Sequence, residues 1–495
     1  MEANSKELLL TNMSAGDPSG EELLTQNQAE VPEGEEVGGA GGEIPWAALC
    51  ICIVVAWLLI AVVVAVGLTT GAGAAAGWGM APLSMLFVLI VTCTGCGLNG
   101  RNVAELPPSQ TPRIPWLDNA KTFLICCVVL GHTGMAFAVQ GAGITFSSGR
   151  NTWFMPAAFA GLVLLKPLVV PLFFFISGFF AASGLDKKGP QGFMRANLTR
   201  LGPAYFLFWL FLNPLLYYMA YALVRPTDGS YSYFPNSAHT WFLNWLLVFQ
   251  CCYALVGGPK VRMEVPSFAR FFCWSIGLAI MQLAACVALA VGGSSLGFAE
   301  GPMMSGGDGF WCGATFAAGI VAQRNDWLVN RLPQRLVVLS RIYVTVMVLV
   351  VILVSVTVIS PLALLGTEES TFLIVALLLQ IPSGPYLPYL LVTVVDLFQK
   401  HGGCDTSVTR FMAQGAFAVY LLHYFVVNIY TYTWAEVLKG PLDTPIVFVN
   451  STATESEVGG GYICLGFVYV STLSIITSFA IAGFLKVIPG VKHLL

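Results

Sequence analysis

Long apolar runs constrain this chain more than any other feature of its sequence. Each run approaches the ~20 residues that a helix needs to cross a bilayer. Hydrophobic residues make up 56% of the 495 residues and charged residues only 10%, whereas soluble proteins carry about 25% charged residues. The sequence therefore predicts an all-α polytopic membrane protein. The roughly twelve candidate spans lie near 46–68, 78–98, 117–139, 155–182, 203–224, 239–257, 271–292, 309–322, 342–364, 372–398, 411–434 and 461–486.

One of these runs leaves the number of spans open. The segment near 309–322 is short and rich in glycine. It is either a full span or a half-helix that re-enters the membrane, and the number of crossings is then twelve or eleven.

The loops between the runs differ in charge, and this difference predicts the topology. One set of loops carries nearly all the cations, whereas the opposite set holds mainly acids. Because Lys and Arg concentrate in cytosolic loops, the bias predicts twelve spans with both termini in the cytosol. It does not indicate which membrane hosts the protein. The inner cations are Lys187, Lys188, Arg195, Arg200, Lys260, Arg262, Arg270, Arg324, Arg331, Arg335, Arg341, Lys400, Arg410, Lys486 and Lys492.

Composition divides the chain into four parts. Residues 1–44 are polar and acidic, which predicts a disordered cytosolic tail. Residues 45–100 hold two transmembrane helices, residues 101–115 form a proline-rich linker, and residues 116–490 form the main membrane domain of ten helices. No basic arm with interleaved aromatic residues is visible, so nucleic acid is not an expected partner.

The cysteines predict neither disulfides nor a metal site. The chain has 13 of them, and most fall inside apolar runs, where a thiol behaves as a small hydrophobic group. Cys93 and Cys96 have CxxC spacing, yet no second such pair or nearby histidine accompanies them. We expect no bound metal and no tightly bound cofactor.

Two ionisable side chains share one face of the helix predicted near 117–139. Lys121 and His132 are eleven residues apart, which returns the helical wheel to within about 20° and gives a rise of about 16 Å. Asp118 lies about 40° from His132 on the same wheel. Ionisable groups inside a membrane are costly and usually functional. Asp118, Lys121 and His132 are therefore expected to line one polar groove.

Several further motifs follow this pair in a fixed order. They combine prolines, aromatic residues and histidines at the ends or in the middle of predicted helices. Together with the first pair they read Arg113 to Asn119, Lys121-x10-His132, Pro171 to Phe180 with Ser177 inside, Ser183 to Pro203 with Lys188, Arg195 and Arg200 inside, His239-Thr-Trp241-Phe-Leu, and Tyr420-Leu-Leu-His423.

This series of motifs resembles the acyltransferase 3 family of membrane O-acyltransferases, and most closely its glucan-biosynthesis protein C-like branch. The resemblance extends from residue 113 to about residue 490 and includes a core of ten spans. It implies that acyl-CoA, most simply acetyl-CoA, docks on the cytosolic face as a co-substrate. A hydroxyl of a carbohydrate or other acceptor then receives the acyl group at the extracytoplasmic side.

The resemblance also implies a role for several residues. His132 is the expected catalytic residue, either as a base that takes the acceptor proton or as a nucleophile. Lys121 is expected to hold the CoA phosphates or the thioester oxygen, unless it only extends to the interface. The basic residues Arg200, Arg195 and Lys188 are candidates for acyl-CoA binding, although topology alone also explains positive charge there.

The remaining candidates are expected to line the acceptor side of a pore, and each has a structural alternative. His239 and His423 are either pore-lining or packed core histidines, and Trp241 is alternatively an interfacial anchor. Lys166 has no counterpart in the family motifs; it faces the pore, pairs with Asp118 or extends outward. The full set of pore or acceptor candidates is Asp118, Lys166, Ser177, His239, Trp241, Tyr420 and His423.

Two other functions compete with acyl transfer. A transporter would use the same polar groove and would favour acids inside the bundle, but Asp118 and Asp396 both lie near the predicted cytosolic edge. A non-catalytic scaffold would not need Lys121 and His132 at this spacing. Oligomeric state is not specified by the sequence.

The predicted topology places two glycosylation sequons on opposite sides of the membrane. Asn450 lies in the longest outer loop, whereas Asn197 lies in an inner loop. We therefore expect a glycan on Asn450 and none on Asn197 when the protein is expressed in a glycosylating host. Glycosidase treatment of the parent and of Asn450→Gln and Asn197→Gln on a gel measures this. A mobility shift lost only in Asn197→Gln would invert the topology.

Overall fold

The computed structural model describes a helical membrane domain. The described residues are 113–138, 146–147, 154–224, 233, 237–257, 263–291, 306–329, 331–354, 357, 386–437, 447–448 and 460–488. The predicted acidic tail, the two additional helices and most of the linker lie outside these residues, as does Asn450.

Helices account for almost all of the described secondary structure, so the predicted all-α class is confirmed. Short π-helical turns cover Phe208–Leu212 and Thr433–Val437, and a 3₁₀ turn covers Ala238–Thr240. Strand β1 (Phe146–Ser147) pairs antiparallel with β2 (Val447–Phe448). The helices are α1 (Pro115–Ala138), α2 (Phe154–Leu207), α3 (Asn213–Val224), α4 (Trp241–Val256), α5 (Phe268–Val291), α6 (Gly306–Arg324), α7 (Gln334–Val354), α8 (386–401), α9 (Ser407–Tyr432) and α10 (Gly460–Leu485).

Several of these helices are long and apolar enough to cross a bilayer, which makes the chain a multi-pass membrane protein. Among the described residues there are 6 such candidates. The arrangement of ten core helices plus two stays a prediction. The candidates are Pro115–Phe137, Leu168–Met219, Ala238–Val256, Gln334–Val354, Ser407–Ala435 and Ile463–Leu485.

Helix α2 contains a sharp break that the membrane requires. Its 54 residues would extend about 80 Å as one straight helix, far more than the ~30 Å hydrocarbon core. At Gly189 the backbone leaves helical geometry with φ 64°, a conformation that glycine adopts without steric cost. The basic segment that follows Gly189 is also helical, rather than an irregular loop.

Helix α1 is packed on two faces. Leu117 and Leu124 are buried in a cluster formed mainly with α2, α6 and α8. Ile125 and Val129 are buried in a second cluster formed mainly with α9 and α10. Residues three and four apart project from the same side of a helix, so the two sets occupy different faces. The helix that carries Lys121 and His132 is thereby fixed from two sides.

Helices α2 and α6 make the closest backbone approach in this region. Gly178 of α2 packs against the carbonyl oxygen of Phe316, and Gly319 of α6 packs against the carbonyl oxygen of Phe175. Small residues permit this approach between membrane helices. The glycine-rich run predicted as either a full span or a half-helix is a continuous helix of 19 residues, or about 28 Å.

The ion pairs between distant segments agree with the predicted alternation of loops. Arg113 pairs with Asp405, and Arg324 pairs with Asp186. In both pairs the charge bias assigns the two segments to the same side of the membrane. Strands β1 and β2, which also pair, both follow helices that the topology directs to the opposite side.

Replacing Gly319 tests the contact between α2 and α6. A Cβ atom at this position would overlap the Phe175 carbonyl oxygen, so Gly319→Ala must separate the two helices. We expect a lower melting temperature in detergent, with a loss of about 1–3 kcal/mol in stability. Gly202→Ala is the matched control, because a Cβ there meets nothing within 4 Å. Equal melting temperatures for Gly319→Ala and Gly202→Ala would contradict the close packing.

Candidate functional site

Three histidine rings meet between α1, α9 and the 3₁₀ turn before α4. The ring centroids of His132 and His423 are 4.9 Å apart, and those of His239 and His423 are 5.2 Å apart. His239 and His423 are buried, and His132 is half-buried. The structure therefore brings together three histidines that the sequence separates by up to about 290 residues, and we call them the histidine cluster.

Backbone carbonyls determine which nitrogen of each ring carries a hydrogen. His132 Nδ1 lies 3.0 Å from the Val128 carbonyl oxygen, and His423 Nδ1 lies 2.6 Å from that of Tyr420. His239 contacts the Leu421 carbonyl oxygen through Nε2 at 3.0 Å. Since a carbonyl oxygen only accepts, each of these nitrogens is the donor. In a neutral ring the other nitrogen then holds a lone pair.

His132 and His423 are also in direct contact. His423 Nε2 lies 3.3 Å from His132 Nδ1. Because His423 donates through its Nδ1, its Nε2 accepts from the Nδ1–H of His132. The Nε2 atom of His132 is left with its lone pair for a reaction partner.

Two tyrosines of α9 complete the surroundings of the cluster. The Tyr420 hydroxyl donates to the backbone carbonyl oxygen of His239. The ring of Tyr424 stacks on His239 with 5.0 Å between centroids and lies edge-on to His132 at 5.7 Å. The sequence predicted Tyr420 but not Tyr424, because nothing in its apolar surroundings separates Tyr424 from a core aromatic residue.

Lys121 lies at the other end of α1 from the cluster, in a network of charges. Its Nζ is 2.6 Å from Asp118 Oδ1, and Arg113 Nε is 2.8 Å from Asp118 Oδ2. Arg113 continues to Asp405, which also binds Arg410. The predicted polar face of α1 thus exists, but its cation and its imidazole serve different neighbours about 16 Å apart.

The segment between α8 and α9 holds this network in place. Asn119 donates to the carbonyl oxygens of Gly402 and Cys404 at 2.6 and 2.7 Å. Thr406 caps the N-terminus of α9 by accepting from the Thr409 backbone, which fixes the start of a helix. The Arg410 guanidinium beside Asp405 holds the pKa of that carboxyl below its ordinary value. Asp405 therefore stays charged at neutral pH.

The other predicted residues lie away from the cluster or are half-buried. Arg195 and Lys188 are exposed, and Arg200 is exposed with its guanidinium 5.5 Å from the Phe417 ring centroid. Ser177 and Trp241 are half-buried. The side chain of Lys166 lies outside the described residues. Its three predicted positions, facing the pore, paired with Asp118 or extended outward, therefore stay predictions.

The second acid near the cytosolic edge is paired. Asp396 is buried, with Arg341 Nη2 and Lys400 Nζ at 2.5 and 2.9 Å. Sequence alone gave its position but not these partners. Within the described residues, no group of three or more His, Cys, Asp or Glu residues is arranged to hold a metal ion.

Comparison with known proteins assigns the family. No significant match was found among curated proteins or among solved structures. The acyltransferase 3 family, described as an acyltransferase domain, matches residues 114–481. This match covers most of the chain, every residue of the histidine cluster, and the charge network except Arg113, which lies one residue before it. The chain therefore belongs to the acyltransferase 3 family.

Proposed function

We propose that this protein is a membrane O-acyltransferase of the glucan-biosynthesis protein C-like branch. It transfers an acyl group, most simply acetyl, from cytosolic acyl-CoA to a hydroxyl of a carbohydrate or similar acceptor at the extracytoplasmic side. The observation that carries the proposal is the hydrogen bonding of His132. Its Nδ1–H is held by Val128 and His423, which leaves Nε2 as a base.

The proposed reaction uses this arrangement. His132 Nε2 takes the proton of the acceptor hydroxyl while the oxygen attacks the thioester carbonyl carbon. The tetrahedral intermediate collapses, the carbon–sulfur bond breaks, and the CoA thiolate takes the proton back from Nε2. His423 contributes as a positioning residue, because its Nε2 accepts the hydrogen bond of the His132 imidazolium that forms. The Tyr420 carbonyl at the far side of His423 cannot accept a proton, so the proton returns through Nε2.

The donor is proposed to enter from the end of α1 that carries Lys121. Lys121 of α1 and the exposed Arg200 of α2 supply cations for the CoA phosphates and the thioester. Arg195 and Lys188 precede Arg200 in α2 and add to this positive charge. Lys121 is paired with Asp118 alone among the described carboxylates, so a phosphate competes with a single partner. The separation of about 16 Å between Lys121 and His132 suits an extended pantetheine arm between phosphates and thioester.

The acceptor is proposed to approach the histidine cluster from the opposite side. His239 begins the helical segment whose N-terminal end the topology places outside, and Tyr420 and His423 lie beside it. Ser177 and Trp241 are proposed to border this approach, as is Lys166.

Charge pairing favours this proposal over transport. Asp118 and Asp396 are each bound by two cations among the described residues. A transporter that couples to protons or cations needs acids able to exchange partners inside the bundle. Here the ionisable groups at the centre are imidazoles, which suit proton abstraction.

Replacing His132 tests the proposed base. His132→Ala removes Nε2 and is expected to lower acyl transfer about 10²–10⁴-fold, with normal expression and membrane insertion. The measurement is transfer of label from radiolabelled acetyl-CoA to lipids and glycans by purified protein. Transfer within about threefold of the parent would contradict the role of His132.

Incubating the purified protein with the same labelled acetyl-CoA, with and without acceptor, distinguishes a base from a nucleophile. A nucleophilic His132 would release one equivalent of CoA in a burst without acceptor. A base would release CoA only when acceptor is present.

Two replacements of Lys121 separate donor binding from a structural role. Lys121→Arg keeps the cation and is expected to retain much of the activity. Lys121→Met keeps the apolar stem but removes the charge, and should weaken acetyl-CoA binding or turnover while the protein folds normally. Acetyl-CoA affinity and turnover of both variants in detergent provide the measurement. Equal values for Lys, Arg and Met would make Lys121 a structural residue.

A further inference from the structure

Asp118 is the most enclosed charged group of the network around Lys121. Its side chain is 17% exposed, against 29% for Lys121 and 44% for Arg113. Each carboxylate oxygen has its own cation, with Lys121 Nζ at 2.6 Å from Oδ1 and Arg113 Nε at 2.8 Å from Oδ2. Asp118 also lies in the first turn of α1, where the helix dipole favours a negative charge. Two cations and the helix end therefore hold this carboxylate in its charged form.

Lys121 is placed so that it can change partners. Its ammonium group contacts Asp118 and lies 5.4 Å from the centroid of the Phe180 ring, and part of the side chain stays exposed to an incoming anion. An anion that draws Lys121 away leaves Asp118 with its remaining cation alone. Removing one partner of an enclosed ion pair is strongly unfavourable when the other charge is left uncompensated. The release of Lys121 therefore depends on what else neutralises Asp118.

Arg113 is that second cation, and the other acid that it contacts does not depend on it. Arg410 binds both oxygens of Asp405, with Nε at 2.8 Å from Oδ1 and Nη2 at 2.8 Å from Oδ2. The contact of Arg113 with Asp405 is longer, at 3.2 Å. The guanidinium of Arg113 can thus compensate Asp118 while Asp405 keeps its own forked partner. Asn119, bonded to the carbonyl oxygens of the segment before Asp405, holds that segment against α1.

We propose that Arg113 is a positioning residue for the acyl donor. It compensates the charge of Asp118 while Lys121 leaves Asp118 for the acyl-CoA. The inference rests on the proposed function, because the anion that draws Lys121 away is taken to be the donor. Arg113 needs no contact with the donor in this role. It acts through Asp118, since the departure of Lys121 then leaves a paired carboxylate rather than a bare one.

A direct attraction between Arg113 and the negatively charged donor is the alternative explanation to be separated. Both explanations predict weaker donor binding when the cation of Arg113 is removed. Only the proposed role requires Asp118, because a general attraction acts whether or not a carboxylate stands at that position. A double-mutant cycle between Arg113 and Asp118 isolates this dependence.

The first experiment measures the affinity for acetyl-CoA in detergent for the parent, Arg113→Gln, Asp118→Asn and the double variant, with melting temperatures as a check of folding. Arg113→Gln is expected to weaken binding roughly fivefold in the parent background and by less than about twofold in the Asp118→Asn background. Arg113→Lys keeps a cation and is expected to lie between the parent and Arg113→Gln. Equal effects of Arg113→Gln in both backgrounds would overturn the inference.

Lys400→Gln is the matched control for this cycle. It also removes one cation, but from the separate ion pair with Asp396, which keeps Arg341 as a partner. Its effect on the affinity for acetyl-CoA is expected to be the same with Asp118 and with Asn at that position. A dependence on Asp118 as large as that of Arg113→Gln would show that the cycle reports charge in general, and would overturn the inference.

Chemical labelling of Lys121 tests the exchange of partners without a donor. Reductive methylation requires the free amine, so a tighter ion pair slows it; its rate at Lys121, relative to the exposed Lys188, is measured by mass spectrometry. Arg113→Gln is expected to slow methylation of Lys121 roughly threefold, because Asp118 then has Lys121 alone. In Asp118→Asn the same replacement is expected to leave the rate unchanged.

The labelling result separates this inference from the proposed function. If Lys121 responds as expected but neither the parent nor any variant binds acetyl-CoA, Arg113 still controls the release of Lys121 and the proposed donor site is wrong. If methylation of Lys121 is equally fast in the parent and in Arg113→Gln, the inference fails whether or not acyl transfer occurs.

Discussion

The continuous hydrogen bonding of α1 is the constraint on which the proposed site depends. Inside a bilayer, backbone groups must be paired within the structure, so the helix cannot open between Lys121 and His132. Their separation is therefore set by helical rise at about 16 Å. Packing on two faces, with Leu124 on one and Val129 on the other, also fixes the rotation of the helix. One rigid element thus holds a cation at one depth and an imidazole at another.

Charge is distributed to match that division. By the predicted topology the described ion pairs lie towards the end of the bundle that carries Arg113, and their groups other than Asp396 are partly exposed to solvent. At the other depth the polar groups are imidazoles, amides and hydroxyls whose partners are backbone carbonyls. A carbonyl fixes the tautomer of a histidine without placing a formal charge beside it. This arrangement avoids the desolvation cost of a buried carboxylate while still leaving a lone pair on His132.

The sequence predicted the helical class and the single helix that carries Lys121 and His132, because apolar length and helical periodicity are local properties. It also predicted His239, Tyr420 and His423 as candidates. It did not predict their contacts, since His423 and His132 are far apart in sequence and join only through packing. Asp405 was missed for a similar reason: it lies in a short segment between α8 and α9, and its partner Arg113 is distant in sequence.

The helical state of the basic segment after Gly189 was also not readable from charge. Positive residues predict the side of the membrane but not the backbone conformation. The positive φ of Gly189 shows where this long helix breaks.

The three histidines differ in the nitrogen that is held by a backbone carbonyl, and the roles proposed for them follow this difference. His132 donates through Nδ1 and keeps a lone pair on Nε2, as the proposed base requires. His423 also donates through Nδ1, but its Nε2 faces His132 and serves that ring. His239 alone donates through Nε2 and leaves Nδ1 without a described partner. Rings of the same chemistry in one cluster thus keep different nitrogens available, because different backbone carbonyls hold them.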